Sequence, residues 1–240
     1  MKSVLSAMLC LIFSSVFAQN PKLKIEKLAP NLYKYTSYNT YKGDIVDANA
    51  IYLVTKQGVV VIDAPWDATQ FQPFLDSIKA KHNQKVVLAI ATHSHDDRSG
   101  GLGFFKAKGI KTYATVKTNK ILAATNKPTA QFTFNGDTTF NVGGYKIQTF
   151  FPGEGHTKDN IVVWFDKANL LYGGCFVKSI DSEDLGYIGE ANVKQWPQSL
   201  KNLQNKFPAA KILIPGHGDG NTPKAINHSL QLLKAAAAKP

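Results

Sequence analysis

The sequence predicts an α/β fold: an αββα sandwich in which two mixed β-sheets pack face to face and helices cover the outer faces. Three observations predict it. Runs rich in Val, Ile, Tyr and Phe recur along the chain, bounded by Gly, Asn, Asp and Pro, and read as strands. Stretches with apolar residues at spacings of three, four and seven interrupt them and read as helices. The two kinds of segment fall into two similar halves, and sheets with one apolar face must bury it against another layer.

The elements follow in order. Residues 1–18, MKSVLSAMLCLIFSSVFA, carry one positive charge at Lys2, then an apolar run, then Val16-Phe17-Ala18 before Gln19. That is the pattern of a cleaved export signal, and the run is short for a membrane span. Cys10 lies inside the run, where it fits a lipid-attachment site poorly. Residues 19–240 are therefore read as one exported, periplasmic domain with no membrane contact after cleavage. PKLKIEKLAPNLYKYTSY and ANAIYLVTKQGVVVIDAPW read as strands joined by turns, with the polar NTYKGDIVD as a hairpin tip. DATQFQPFLDSIKAKH turns helical: Phe71, Phe74, Leu75 and Ile78 share a face, Asp67 is placed as N-cap, and Gln70 follows three later. KVVLAIAT is a buried strand, and residues 101–108 and 115–126 read as short helices flanking IKTYA. QFTF, DTTFNV, YKIQTFF, NIVVWFD and NLLYGGC read as strands. Trp196, Leu200, Leu203 and Phe207 form a helical stripe, AKILIPG a buried strand, and Thr222 caps a last helix with Pro223 at its first position.

The chain of 240 residues has a formal net charge of +11, and removing residues 1–18 takes away only Lys2, leaving +10. The lysines are scattered and do not interleave with aromatics, which argues against nucleic-acid binding. No partner helix is evident, so a monomer is expected. Loss of the signal also leaves one cysteine, Cys175. An exported protein with a single thiol in an oxidising compartment calls for a use of that thiol other than an internal disulfide.

The six histidines divide into two sets. His82 and His228 lie on polar faces of expected helices and need no special account. His93, His95, His156 and His217 lie in glycine-containing loops just after strands, in THSHDD, PGEGHTKDN and IPGHGDG. Cys175 ends a strand in the same way, in YGGCFVKS. Alternation puts His93 and His95 on one side of an extended segment, beside Asp97. Two imidazolium cations there would repel, whereas a metal would hold both rings. Imidazole, thiolate and carboxylate donors point to zinc. No Ser-x-x-Lys occurs in the mature chain, and Gly-x-Ser-x-Gly and phosphate-binding glycine loops are absent from the sequence.

His93-x-His95-x-Asp97-x-x-Gly100-Gly101 resembles the signature of the metallo-β-lactamase superfamily. The later GEGHT, GGCFVKS, LGYIGEANVKQWP and IPGH resemble its subclass B1 in order and spacing, from about residue 22 to the end. The resemblance implies two Zn2+ per chain, one on His93, His95 and His156, the other on Asp97, Cys175 and His217. It implies hydrolysis of the β-lactam amide of penicillins, cephalosporins and carbapenems, and hence antibiotic resistance. The resemblance further implies that hydroxide activated by zinc would attack the carbonyl, with Asp97 orienting it and no covalent intermediate. Lys178 is expected to bind the substrate carboxylate. Tyr187 stands where the family often has asparagine, so a phenol or backbone contact replaces an amide, or the contact is lost. Tyr41, in the flap at residues 40–44, is either a substrate contact or a plain loop aromatic. Asp63 is either an acceptor that orients a metal ligand or a strand-ending turn residue. Arg98 stands where many superfamily hydrolases carry a further histidine, and is either paired with the thiolate or a surface arginine. The rival readings are another hydrolase of the superfamily, such as a thioesterase or lactonase, and a periplasmic zinc-binding protein without turnover.

Overall fold

The computed structural model describes residues 22–238, so the expected signal at 1–18 lies outside the described residues. The first sheet has seven strands in sequential order, β1 (Lys24–Ala29), β2 (Leu32–Tyr41), β3 (Asp44–Thr55), β4 (Gly58–Ile62), β5 (Val86–Ile90), β6 (Lys111–Thr115) and β7 (Phe132–Phe134). β1 to β4 pair antiparallel and β4 to β7 pair parallel, so the sheet is mixed. The second sheet runs β12-β11-β10-β9-β8, from β8 (Thr138–Val142), β9 (Tyr145–Phe150), β10 (Val162–Phe165), β11 (Leu170–Gly174) and β12 (Ile212–Pro215). Only its β11–β12 pair is parallel. The halves are less alike than the sequence suggests, with seven strands against five.

Strand alternation sorts the core into layers. Ile51, Leu53, Val60, Ile62 and Ile90 of the first sheet meet Ile147, Val163, Leu170, Tyr172 and Ile214 of the second. The opposite face of the first sheet puts Tyr35, Tyr52, Val59 and Val61 against Phe74 and Ile78 of α1 (Phe71–His82) and against Phe105 of α3 (Leu102–Ala107). The opposite face of the second puts Val162, Trp164, Leu171 and Leu213 against α5 (Trp196–Lys206) and α6 (Lys224–Ala237). The αββα sandwich is thus observed, with each fully buried aliphatic or phenylalanine contributing about 1.5–3 kcal/mol.

Local signals fare well, with small shifts. Asp67 accepts from Thr69 N, so it caps a 3-10 turn at Ala68–Gln70 that leads into α1. The expected short helices are α3 and α4 (Val116–Ala124), and α2 (Asp96–Ser99) adds a single turn. α6 begins one residue later than expected, at Lys224, whose N–H lies 3.4 Å from the Thr222 hydroxyl. The hairpin tip differs more. β2 and β3 pair as far as Tyr41 and Asp44, so the turn is only Lys42 and Gly43. Both have positive φ, 53° and 96°, as a two-residue turn between twisted strands requires. No helix among the described residues is long and apolar enough to cross a membrane.

Candidate metal centre

The chemistry gathers where strands of both sheets end. β5 stops at Ile90, and Asp63, just past β4, accepts hydrogen bonds from Thr92 N (2.7 Å) and Thr92 Oγ1 (2.9 Å). That pins the backbone one residue before His93. His95 then caps α2, its carbonyl accepting from Arg98 N and Ser99 N, which turns Asp97 and Arg98 inward. The glycine pair that follows is a packing requirement: a Cβ at Gly100 would lie 2.5 Å from Asp96 O, and one at Gly101 2.5 Å from Ala64 Cβ. From the second sheet, His156 sits in the loop between β9 and β10, and Ile161 N donates to Thr92 O, tying that loop to the one carrying His93. Cys175 follows β11 and His217 follows β12, with Gly216 N donating to Gly174 O between them.

Two donor groups result. The rings of His93, His95 and His156 form a near-equilateral triangle, with centroids 4.8, 4.9 and 5.0 Å apart and planes close to perpendicular. His95 Nδ1 lies 3.1 Å from His156 Nε2, and the buried His93 Nε2 has no hydrogen-bond partner. Burial, aided by His95, holds His93 well below the usual imidazole pKa, and burial and then Lys178 do the same to His156. The His93 and His156 rings are therefore neutral at physiological pH, with lone pairs available. In the second group Asp97 Oδ2 lies 3.2 Å from His217 Nε2 and 3.4 Å from Cys175 Sγ, and Sγ lies 3.3 Å from His217 Nε2. Burial would raise the Asp97 carboxyl, yet Arg98, His217 and His93 hold it well below the usual range. One donor atom from each of His93, His95 and His156 fits within 4.8 Å of the others, as does one from each of His93, Asp97 and Cys175. Imidazole nitrogens beside thiolate and carboxylate, with an orphaned buried nitrogen among them, form a donor set that fits zinc.

The remaining expected residues fall around these groups. Arg98 is fully buried and spends all five N–H donors: Nε on Cys175 Sγ (3.2 Å), Nη1 on Asn49 O and the Tyr172 hydroxyl, Nη2 on Gly216 O and Asp97 Oδ2. Asp63 is buried, but none of its hydrogen bonds reaches the six donor residues. It holds Thr92 and the Tyr172 hydroxyl and lies 3.8 Å from Arg98 Nη1, so its influence on a ligand passes through the backbone before His93. Lys178 is buried with Nζ over the Trp196 ring at 5.5 Å; among the described residues that Nζ has no hydrogen-bond or ion-pair partner. Burial lowers its pKa, against the raising effect of Cys175 and Asp97. Tyr187 is 48% exposed with its ring 5.5 Å from that of His95, and Tyr41 is 39% exposed with its ring 6.1 Å from that of Trp66. All three line an open pocket of about 680 Å³ with His95, His156 and His217. His82 and His228 lie elsewhere, bonded to the Tyr52 hydroxyl and to Ser182 O.

Sequence reasoning missed two wall residues. Glu190 Oε2 accepts from His95 Nε2 at 3.1 Å, which leaves the Nδ1 lone pair of His95 facing His156. Glu190 stands inside LGYIGEANVKQWP, but only its three-dimensional partner gives it a role. Trp66 places its ring 5.9 Å from that of His217 and lines the same pocket.

The sequence model of the family described as the Metallo-beta-lactamase superfamily matches residues 43–217. A metallo-beta-lactamase type 2 from Elizabethkingia meningoseptica is 53% identical over 215 residues, covering 90% of this chain and 86% of that protein. The metallo-beta-lactamase IND-1 of Chryseobacterium indologenes is 48% identical, covering 85% of each. The crystal structure of metallo-beta-lactamase IND-7 superposes with a TM-score of 0.87 at 46% identity, over 90% of this chain and 100% of that one.

Proposed function

We propose, from the premise that the chain belongs to subclass B1 of the metallo-β-lactamase superfamily, that it hydrolyses the amide of β-lactam rings, carbapenems included, with two zinc ions. The observation that carries this reading is the convergence of the two donor groups on one pocket that also holds an unpaired lysine. His93, His95 and His156 would hold one ion, and Asp97, Cys175 and His217 the other. Bound zinc supplies Lewis acidity, which polarises a carbonyl and makes a water acidic enough to ionise near neutral pH.

The side chains account for the rest. Lys178 offers a buried cation to the carboxylate that β-lactams carry beside the reacting ring, and that anion relieves the cost of burying the ammonium. The Asp97 carboxylate groups with both His93 and Cys175, a position from which it would orient a water. His217 Nδ1 donates to Asp47 O at 2.5 Å, which fixes the tautomer and turns Nε2 toward Asp97 and Cys175. Tyr41, Trp66 and Tyr187, which line the pocket, give apolar contact to substrate and exclude water; no side-chain amide stands at Tyr187. Arg98 holds the thiolate and Asp97 from below. Residues 1–18 are read as an export signal, residues 19–240 as the mature domain, and the enzyme as a periplasmic monomer without nucleic-acid partners. The test is loss of a carbapenem's ultraviolet absorbance with purified protein. Turnover that a chelator abolishes, zinc restores and serine acylators spare supports the reading; chelator-resistant turnover overturns it. Zinc uptake without turnover would favour a binding protein.

A further inference from the structure

We propose that Asn49 is the positioning residue that holds Asp97, Cys175 and His217 together as one site, a role that rests on the two-metal reading above. Asn49 lies on β3, 1% exposed, and touches none of the three directly. Its hydrogen-bonding groups nonetheless reach all of them at one remove. Three contacts bracket His217: Asn49 N donates to Gly216 O at 2.8 Å, and Nδ2 donates to Pro215 O at 3.3 Å and to Gly218 O at 2.6 Å. The turn carrying His217 is thus gripped on both sides of the imidazole. The Asn49 carbonyl accepts from Arg98 Nη1 at 2.5 Å, and the same guanidinium bonds Cys175 Sγ and Asp97 Oδ2. Asn49 Oδ1 accepts from the Thr36 hydroxyl at 2.8 Å, which fixes the amide so that Nδ2 faces the turn.

The chemistry demands an amide here. The side chain must accept from Thr36 and donate twice toward carbonyl oxygens, and only Asn does both at this length. Aspartate would aim oxygen at the carbonyls of Pro215 and Gly218, and leucine would leave Thr36 and both carbonyls without their partner. Neither change touches His93, His95 or His156, whose loops hang from Asp63, Thr92 and Ile161 instead. The main-chain contacts to Arg98 and Gly216 persist in either variant, so the expected consequence is loosening of the turn that carries His217, and through it selective weakening of the cysteine-containing group.

Cobalt titration of the metal-stripped full-length protein tests this, because thiolate coordination gives a near-ultraviolet charge-transfer band that imidazole sites lack. In the wild type the band develops as cobalt fills the Cys175 group. In Asn49→Asp and Asn49→Leu it should require about 10–100-fold more cobalt, the usual effect of losing a residue that orients a ligand, while cobalt bound by the three histidines shifts less than about threefold on the same scale. Thr36→Val, a milder change, should shift the band in the same direction, and Thr36→Ser should restore it. Equal weakening of both sites, or a band that titrates as in the wild type, overturns the assignment. If the Asn49 variants do not fold, the Thr36 pair decides: no shift in Thr36→Val rejects the role. A wild type without the band overturns the two-metal reading as well, so the two failures are distinguishable.

Discussion

Replacing Arg98 by methionine tests how the centre is supported, and the structure fixes the expected size of the effect. The guanidinium neutralises Asp97 at 2.9 Å and faces Asp63 at 3.8 Å, all with side chains almost fully buried. At an effective dielectric constant near 20 the Asp63 interaction alone is worth about 4 kcal/mol. Breaking a buried pair by removing one partner typically costs about 3–5 kcal/mol, because the other charge stays behind. The loss should depend on pH in a defined way. Burial raises the Asp63 carboxyl from 3.8 to about 6, opposed by Arg98, Tyr172 and Thr92. A raised carboxyl makes the folded state hold its proton longer than the unfolded state, so stability falls as pH rises between 3.8 and the folded pKa, and then levels. Without Arg98 that folded pKa moves higher. The wild-type contribution levels above about 6 while that of the variant keeps falling, so this part of the deficit opens above pH ~6. Urea denaturation of chelator-treated protein, followed by tryptophan fluorescence at pH 5 and pH 8, measures it. A deficit below about 1 kcal/mol, or one of equal size at the two pH values, would refute the argument that Arg98 acts as the buried counter-charge of Asp63.

Two further outcomes follow from single contacts. Lys178→Met should reduce kcat/KM by about 10–100-fold, mostly through KM, as expected for losing a charge-assisted bond of about 1.5–3 kcal/mol; steady-state kinetics would reject the role if KM held constant. Glu190→Gln should weaken metal binding at the three-histidine group by about tenfold or less, the low end for an orienting carboxylate because Glu190 is half exposed; competition with a chromophoric chelator measures it, and an unchanged affinity would show that the His95 contact orients nothing.

The residues that converge in the candidate centre were legible because each carries its signal locally. His93, His95 and Asp97 lie within five residues, and His156, Cys175 and His217 each follow a strand beside a glycine. The glycines are legible for a physical reason as well: at Gly216 a Cβ would stand 2.5 Å from Cys175 N. The layers were legible in the same sense, since alternation in VVVI and helical spacing in α1 and α5 state which face is buried. What the sequence concealed depends on chain crossings. Asn49 and Gly216 are far apart in sequence and meet through a main-chain hydrogen bond from β3 to the turn after β12. Glu190 lies in a segment without regular structure, and its partner is His95. Asp63 reads as either an acceptor that orients a ligand or a strand-ending turn residue, and the register of β4 against β5 brings it to Thr92, one position short of His93.

Electrostatics separates the two donor groups more sharply than residue types do. Within the histidine triad, burial keeps protons off His93 and His156. An ion held there, as proposed, would keep more of its charge toward whatever occupies the pocket, which favours polarising a carbonyl. The other group carries the Asp97 carboxylate and the Cys175 sulfur, and the protein has placed one fixed cation, Arg98, in hydrogen-bond contact with both. In the metal-free protein the burial cost that would lower His217 is outweighed by Cys175 and Asp97, which raise its pKa to about 10. Positive charge therefore already occupies the neighbourhood that a second ion would enter. The polypeptide keeps the Asp97 carboxylate ionised, and the Cys175 sulfur in place, by spending a buried arginine on them, and the same arginine would oppose an incoming ion. On the proposed two-metal reading the two groups would do different work: a cage of imidazoles that leaves charge exposed to substrate, and one with the Asp97 carboxylate whose geometry is held by Arg98 and, through it, by β3.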